Sequence, residues 1–284
     1  MPNTYRLDSW IATGDPNVRV MTSYHTTNER HDHDFYELVY VAEGFCLHDS
    51  GGNVTLLMEG DIFILKPWVS HKYFGNRVTF IYNCIFGTEA VADTIAQLSA
   101  MPGLDRLFSP DPALDVPRLH LALNERKGFL RIIEWMRDEC EQKPLGWQIR
   151  MKSFLNCLLV AYARAYQSRM GDGDEKDAFT AYVAQALACI DRRYQDRDLT
   201  VAAIAAQVGV SGDYLSRQFH RVMGIPVLEY LRRYRFARAM ELLQAGLPVS
   251  DVAEQVGFGS LSAFSRAFKL EMGMSPSHYR DRTD

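Results

Sequence analysis

Apolar residues in the first third of the chain fall in short runs, at 35–41, 54–58, 61–65 and 78–86, rich in β-branched and aromatic side chains and separated by Gly and Asn. Runs of this kind predict strands, and their regular spacing predicts a barrel or sandwich. After Phe86 the period changes. In residues 129–141 the apolar positions include Ile132, Trp135 and Met136, and in 148–166 Met151, Leu155, Leu158 and Leu159. That spacing predicts two helices, packed antiparallel around a turn at 143–147. Residues 168–177, SRMGDGDEKD, hold Met170 as their apolar anchor beside two glycines, the composition of a linker. Beyond it the pattern is helical throughout.

The helical part repeats itself. Ile204-Ala-Ala-Gln-Val-Gly-Val-Ser recurs 48 residues later as Val252-Ala-Glu-Gln-Val-Gly-Phe-Gly, and Leu215-Ser-Arg-Gln-Phe-His-Arg recurs at an offset of 49 as Phe264-Ser-Arg-Ala-Phe-Lys-Leu. In the first copy Thr200 suits an N-cap, Val201, Ile204, Ala205 and Val208 form one stripe, and Gly209 supplies a left-handed stop. Ser211 then caps a second helix that points Leu215, Phe219 and Val222 inward. Ser250, Gly257 and Ser260 are expected to play these parts in the second copy, with Phe264, Phe268 and Met272 inward. Helix, glycine turn and helix with a polar outer face make a DNA-reading unit. A helix over 227–243, about 25 Å long, would set the two reading helices roughly one DNA turn apart.

The composition suits a folded, water-soluble chain: of its 284 residues 47% are hydrophobic and 23% charged. Five scattered cysteines, never in a C-x-x-C pair, argue against a disulfide framework or zinc ribbon and fit a reducing cytosol. Residues 1–10 lack the apolar core of a signal peptide and no run reaches the ~20 apolar residues of a membrane span, so export and membrane insertion are not expected. The net charge of −4 looks wrong for a nucleic-acid binder until it is divided by position. From Thr180 onward 13 Lys+Arg face 11 Asp+Glu, against 18 and 24 in the rest. Arg217, Arg221, Arg232, Arg233, Arg235 and Arg238 lie between Ser211 and Arg238 with only Asp213 and Glu229. Such a basic face attracts phosphate even on an acidic chain.

The repeat resembles the AraC/XylS family of bacterial transcription regulators. The resemblance rests on Ile204-Ala-Ala-Gln-Val-Gly, on Arg235-x-x-x-Ala239-x-x-Leu242-Leu243, and on Val252-Ala-x-x-Val-Gly-Phe258 through Phe264-Ser-Arg-x-Phe268 to Gly273-Met-Ser-Pro276-x-x-Tyr279-Arg280. It implies promoter DNA and RNA polymerase as partners. It also places base-reading positions at Asp213, Ser216 and Arg217, and at Leu261, Ser262, Ser265 and Arg266. Arg217 and Arg266 have the chemistry to grip guanine, whereas Asp213 can only accept a hydrogen bond and Leu261 can only meet a thymine methyl. Ser211, Ser260 and Arg221 are expected to contact the DNA backbone, and Lys269 is a further expected DNA-binding residue on the outer face of its helix.

In the first third, His31-x-His33-x-x-x-Glu37, Gly44, the run Gly60 to Pro67 and His71 resemble the two motifs of cupin barrels. His31, His33, Glu37 and His71 would suit a divalent transition metal, which opens the alternative of a metal-dependent cupin enzyme. The same side chains, with Tyr36, Trp68 and Phe45 as ring faces, would equally line a pocket for an organic effector and need no metal. The segment from His31 to Val39 is similar to the family's sugar regulators, the rhamnose-responsive ones among them.

The expected fold is α+β in two domains: a cupin-like effector-sensing barrel at 1–88 with a helical dimerisation region at 89–167, a linker at 168–178, and an all-α DNA-binding domain at 179–284. Its two helix-turn-helix motifs are expected at 199–223 and 249–272. The expected activity is that of a cytoplasmic, nucleoid-associated and homodimeric regulator, an activator and not an enzyme, that answers to a sugar and requires no cofactor.

Overall fold

The computed structural model describes residues 3–12, 14–27, 29–50, 53–105, 107–109, 118–170 and 178–281. The chain divides into two units, one of Met1–Phe74 with Val78–Asp174 and one of Gly75–Arg77 with Glu175–Asp284. The first holds strands β1 (Asn3–Tyr5), β2 (Val18–Thr27), β3 (His31–His33), β4 (Tyr36–Glu43), β5 (Phe45–Ser50), β6 (Asn53–Met58), β7 (Asp61–Leu65), β8 (His71–Phe86) and β9 (Leu119–His120). Helix α1 (Ala92–Ser99) precedes β9, and α2 (Leu123–Gln142) and α3 (Trp147–Met170) follow it. The second unit is helical: α4 (Ala178–Arg193), α5 (Val201–Val208), α6 (Gly212–Met223), α7 (Val227–Gln244), α8 (Val249–Gln255), α9 (Leu261–Met272) and α10 (Pro276–Arg280). This is the two-domain α+β organisation expected from the apolar pattern. Among the described residues no helix is long and apolar enough to cross a membrane.

One strand organises the sheet. The 16 residues of β8 pair through 71–74 with β5 and through 79–86 with β2 and β4, so the two halves of the sheet share it. Side chains alternate along a strand, and both faces of β4 are covered. Its even positions, Leu38 and Tyr40, join Ile62, Ile64, Tyr82 and Cys84 in a core completed by Met136, Leu158 and Tyr162 of α2 and α3. Its odd positions, Val39 and Val41, meet Phe63, Leu65, Tyr73 and Ile81 on the other side, with Cys46 of β5 and Leu57 of β6. A strand buried on both faces reads as a continuous apolar run, which is why 35–41 lacks the polar alternation of a surface strand.

Helix α2 begins six residues before the apolar period signals it, because the Ala122 N–H donates to Glu125 Oε2 at 2.8 Å and satisfies the first turn. The short 143–146 connection returns α3 alongside α2, with Lys143 left-handed at φ 44° and Trp135 stacked on Phe154. At the ends of the expected linker, residues 168–170 complete α3 and Ala178 opens α4, while 171–177 lie outside the described residues.

A buried ionic network ties β7 to β9 and α2. Asp61 accepts from the Met58 N–H and from His120 Nδ1, each at 2.7 Å, and lies 3.2 Å from Arg118. On the other ring nitrogen, His120 Nε2 meets Arg126 Nη2 at 3.0 Å, while Arg126 Nε donates to Leu121 O. Gly60, at φ +91°, leaves room for that guanidinium, which any Cβ there would strike. Burial pushes the Asp61 carboxyl up, but Arg118 and the bonds from His120 and Met58 outweigh it and hold the group below its ordinary value. Asp61→Asn is therefore expected to cost about 3 kcal/mol near pH 7 by urea unfolding. A depressed carboxyl contributes stability only where it is ionised, so the gap between wild type and variant should close as the pH falls below about 4. A gap independent of pH would mean that shape, not charge, carries the contribution.

Candidate functional site

The second unit builds two short helix pairs by one set of local rules. Thr200 caps α5 by accepting from the Ala203 N–H at 3.2 Å. Ile204, Ala205 and Val208 bury its inner stripe, and Gly209 ends it at φ 80°. Ser211 then caps α6 through the Tyr214 N–H, also at 3.2 Å. In the second copy Val252 and Ala253 are buried, Gly257 takes φ 78°, and Ser260 caps α9 through the Ala263 N–H at 3.1 Å. The turn from Gly257 to Ser260 is one residue longer than that from Gly209 to Ser211, which explains the change of offset between the repeated motifs. Ser250 does not cap α8 as expected: Pro248 holds the N-cap position, and the Ser250 hydroxyl, in the first turn, donates to Asp251 at 2.9 Å.

Burial separates the two faces of each second helix. Leu215, Phe219, Val222 and Met223 seal α6 from within, as Phe264, Phe268 and Met272 seal α9. The outer face of α6 presents Asp213, Ser216, Arg217 and Arg221, and that of α9 presents Leu261, Ser262, Arg266 and Lys269, with Ser265 half-buried among them. The Ser216 hydroxyl turns back to donate to Gly212 O at 2.8 Å, so its outward surface is that of a small, self-satisfied residue.

The basic stretch between Ser211 and Arg238 divides in a way that charge counting missed. Arg232 pairs with Glu229 at 2.6 Å and Glu271 at 3.4 Å, and Arg233 pairs with Glu229 at 2.9 Å. Arg235 donates to the carbonyls of Tyr194 and Asp196, both at 2.7 Å. Arg238 meets Glu241, the Tyr234 hydroxyl and, at 3.6 Å, Asp191. The α7 arginines therefore hold the helices together, while Arg217 stands exposed on the outer face of α6. The loop after α4 presses on the second turn as well, since a Cβ on Gly257 would stand 2.7 Å from Gln195 O and 2.8 Å from Tyr194 O.

In the first unit the odd positions that build the inner core also carry polar groups. His33, Glu37 and His71 are all buried, and their ligating atoms lie within 4.8 Å of one another. Glu37 Oε2 stands 3.3 Å from His33 Nε2 and 3.7 Å from His71 Nε2. His33 Nδ1 is 2.8 Å from Phe35 O, and His71 Nδ1 is 3.1 Å from Val69 O. A carbonyl only accepts, so Nδ1 of each ring carries the proton and donates. Burial pushes the Glu37 carboxyl up, but the hydrogen bond and charge of His33, with the His71 and His31 charges, bring it down to about 2. Burial likewise pulls His71 down to about 3 and His48 to about 4, although the Glu37 charge opposes both.

His31 contributes no atom to this cluster. Its ring lies 4.3 Å from that of His71, and its Nδ1 is tied to Glu29 O at 2.9 Å. Tyr36 and Trp68 are corrected. As an even position Tyr36 faces the helices, where it donates to Phe108 O at 3.0 Å and stacks on Phe86. Trp68 is 54% exposed with Arg6 5.1 Å above its ring, and only its backbone serves the cluster, donating to His33 O at 2.7 Å. Phe45 is buried core. His48 and Asn83 were missed. Each is buried with a side-chain polar atom that no hydrogen bond satisfies, His48 Nε2 and Asn83 Oδ1. Strand β5, which carries His48, has too little alternation to be read as a strand, and Asn83 shows its parity only once β4 and β8 are in register.

Residues 18–132 match the family model described as AraC-like ligand binding domain, and residues 204–282 match one described as helix-turn-helix domain. The chain belongs to the AraC family of transcription regulators. It is 26% identical over 255 residues to the HTH-type transcriptional activator RhaR of Klebsiella pneumoniae subsp. pneumoniae, covering 89% of this chain and 87% of that protein. To the protein of the same name from Enterobacter sp. (strain 638) it is 25% identical over 286 residues, covering 100% and 98%. Among solved structures, the C-terminal domain of AraT, a response regulator from Geobacillus stearothermophilus, is 37% identical and covers 36% of this chain and 84% of that one, at a TM-score of 0.35. These families and relatives are regulators, so the enzyme reading of the cupin motifs gives way to a ligand-binding domain joined to a DNA-binding one.

The two kinds of arginine in the regulator separate experimentally. Arg235→Ala should destabilise the second unit by about 1–3 kcal/mol in urea unfolding, because it removes a charged donor from the carbonyls of Tyr194 and Asp196. Arg217→Ala should leave unfolding unchanged and weaken DNA retardation. Equal effects of both on stability would contradict the division.

Proposed function

We propose that this regulator is a transcription activator that grips promoter DNA with α6 and α9 and answers to a sugar held in the interior of its first unit. The observation that carries the DNA half is the pairing of capped helices with sealed inner faces and outward Arg217 and Arg266. Each arginine can donate two hydrogen bonds to one guanine in the major groove. Ser211, Ser260, Arg221 and Lys269 face phosphate, and the small Ser216, Ser262 and Ser265 allow close approach to the bases. Asp213 favours a cytosine donor and Leu261 a thymine methyl. Activation, with RNA polymerase as partner, is supported by the relatives being named activators.

The effector half rests on buried polar groups at the inner face, His33, Glu37, His48, His71 and Asn83, whose donors and acceptors suit a polyol. The sugar class follows the similarity of the His31 to Val39 segment to sugar regulators. A homodimer through α2 and α3 is supported by Trp135 and Ile149, which remain 47% and 74% exposed on helices whose other faces pack on the sheet. Effector control requires unequal affinity for two arrangements of the chain.

Selection of DNA sequences from a random pool, with and without a panel of sugars, tests the reading. Arg266→Ala should relax preference at one base pair and cost about 1–3 kcal/mol there, with other positions retained. Loss spread evenly over all sequences would reduce Arg266 to a phosphate contact. A selected motif whose affinity no sugar alters would refute the effector class and leave the DNA half standing.

A further inference from the structure

We propose that Arg235 is a positioning residue that locks the two helix pairs at one separation, so that the regulator takes two half-sites only at one spacing along the duplex. The inference rests on the reading that α6 and α9 both enter the DNA. It goes beyond α7 as a spacer, because the structure holds a second connection between the copies. The loop at 194–200 joins α4 to α5 and so belongs to the first pair. Its shape is fixed locally: the Asp196 N–H donates to Arg193 O at 2.9 Å, the Leu199 N–H to Asp196 O at 3.1 Å, and Arg193 Nε to Asp196 Oδ2 at 2.8 Å. Arg235 of α7 grips this loop with two donors, Nε to Tyr194 O and Nη2 to Asp196 O, each at 2.7 Å. Charged donors on two carbonyls hold a loop more firmly than neutral ones would.

The same loop meets the second pair. A Cβ on Gly257 would stand 2.7 Å from Gln195 O, 2.8 Å from Tyr194 O and 3.0 Å from Arg235 Nη2, so the second turn rests on the gripped loop and on the guanidinium itself. Gly209, its counterpart in the repeat, shows that this contact is no general need of the turn. Both glycines are left-handed, at φ 80° for Gly209 and 78° for Gly257, yet among the described residues a Cβ on Gly209 would meet nothing within 4 Å. Other contacts brace the joint. Tyr194 meets Tyr234 edge to face at 5.4 Å, Arg197 lies 3.7 Å from Glu254 of α8, and Phe236 of α7 stacks at 5.6 Å on Phe258, the residue after Gly257. Along α7, Tyr230 seats Phe219 of α6 and Phe236 seats Phe268 of α9. Arg235 lies between those two seats, with its loop set against the second turn. Two reading helices on one stiff frame meet both half-sites only on a duplex of matching phase. One added base pair turns the far half-site by roughly 34° and moves it roughly 3.4 Å along the axis.

The test takes the bipartite site that the full-length chain selects from a random pool. Retardation is measured on that duplex with its spacer unchanged, lengthened by one base pair and shortened by one. Wild type should bind the altered duplexes at least about tenfold less tightly, since the phase error must be taken up by bending or twisting the DNA. Arg235→Ala and Gly257→Ala should each narrow that loss to about threefold or less, with base preferences inside each half-site retained, because a freed second pair spares the DNA the deformation. Gly209→Ala puts the same left-handed strain into the first turn without a neighbour to strike, and should keep the wild-type loss in full. That contrast separates a lock from a general loss of stability. Should Arg235→Ala unfold, Arg235→Lys takes its place, since an ammonium keeps the charge without the planar fork that spans both carbonyls. Wild type that binds all three duplexes alike, variants that keep the full loss, or Gly209→Ala protein that sheds it equally would each overturn the lock and leave the two-helix reading standing. A selected site with a single block of preference would overturn that reading and the lock together.

Discussion

Burial of β4 on both faces is the constraint from which the architecture of the first unit follows. The even side chains of the strand need a partner layer, and α2 and α3 supply most of it, with Leu155, Leu158, Leu159 and Tyr162 fully withdrawn from water. Those helices are thus part of the same core as the sheet. The odd side chains need the sheet's second half, which the long β8 brings into place by pairing with β5 at one end and with β2 and β4 at the other. Removing either layer would expose a face composed of Leu, Ile, Val and aromatic residues, each worth about 1.5–3 kcal/mol of burial.

The same constraint makes the interior chemically sharp. A polar group on an odd position is carried into a space without water, where it must find a partner or leave its bonding capacity unused. Asp61 resolves this with the Met58 N–H, the His120 ring and the Arg118 guanidinium, and so becomes a structural joint. His33 Nε2, Glu37 Oε2 and His71 Nε2 are left without a well-formed hydrogen bond, and that deficit is what the proposed effector would fill. Both kinds of site arise from alternation along neighbouring strands.

In the second unit the limiting resource is cationic charge. Its arginines are needed twice, to tie α7 to α4, the loop after it and α9, and to face a polyanion. Internal pairs with Glu229, Glu241, Glu271 and Asp191, and the carbonyls of Tyr194 and Asp196, claim the α7 set. The outward faces of α6 and α9 keep few cations beside small serines, a surface suited to reading base edges at close range and less to broad electrostatic attraction. A net charge of −4 is compatible with DNA binding on those terms.

Local chemistry was legible in the residues alone. Caps at Thr200, Ser211 and Ser260, stops at Gly209 and Gly257, the inward Leu215, Phe219, Phe264 and Phe268, and the change from strand to helix period after Phe86 all depend on neighbours a few residues away. The repeat made the helix pairs more certain still, since two copies obey one pattern. Which arginines face outward, which face of β4 carries Tyr36, and whether His31 joins His33 depend on partners far along the chain. Parity and charge become meaningful only when register and packing bring 37 beside 71, 61 beside 120, and 235 beside 194. Sequence therefore determined the elements and the class of the protein. Tertiary structure decided which polar side chains are joints and which are left to bind, because only a closed core removes the water that would otherwise satisfy them all.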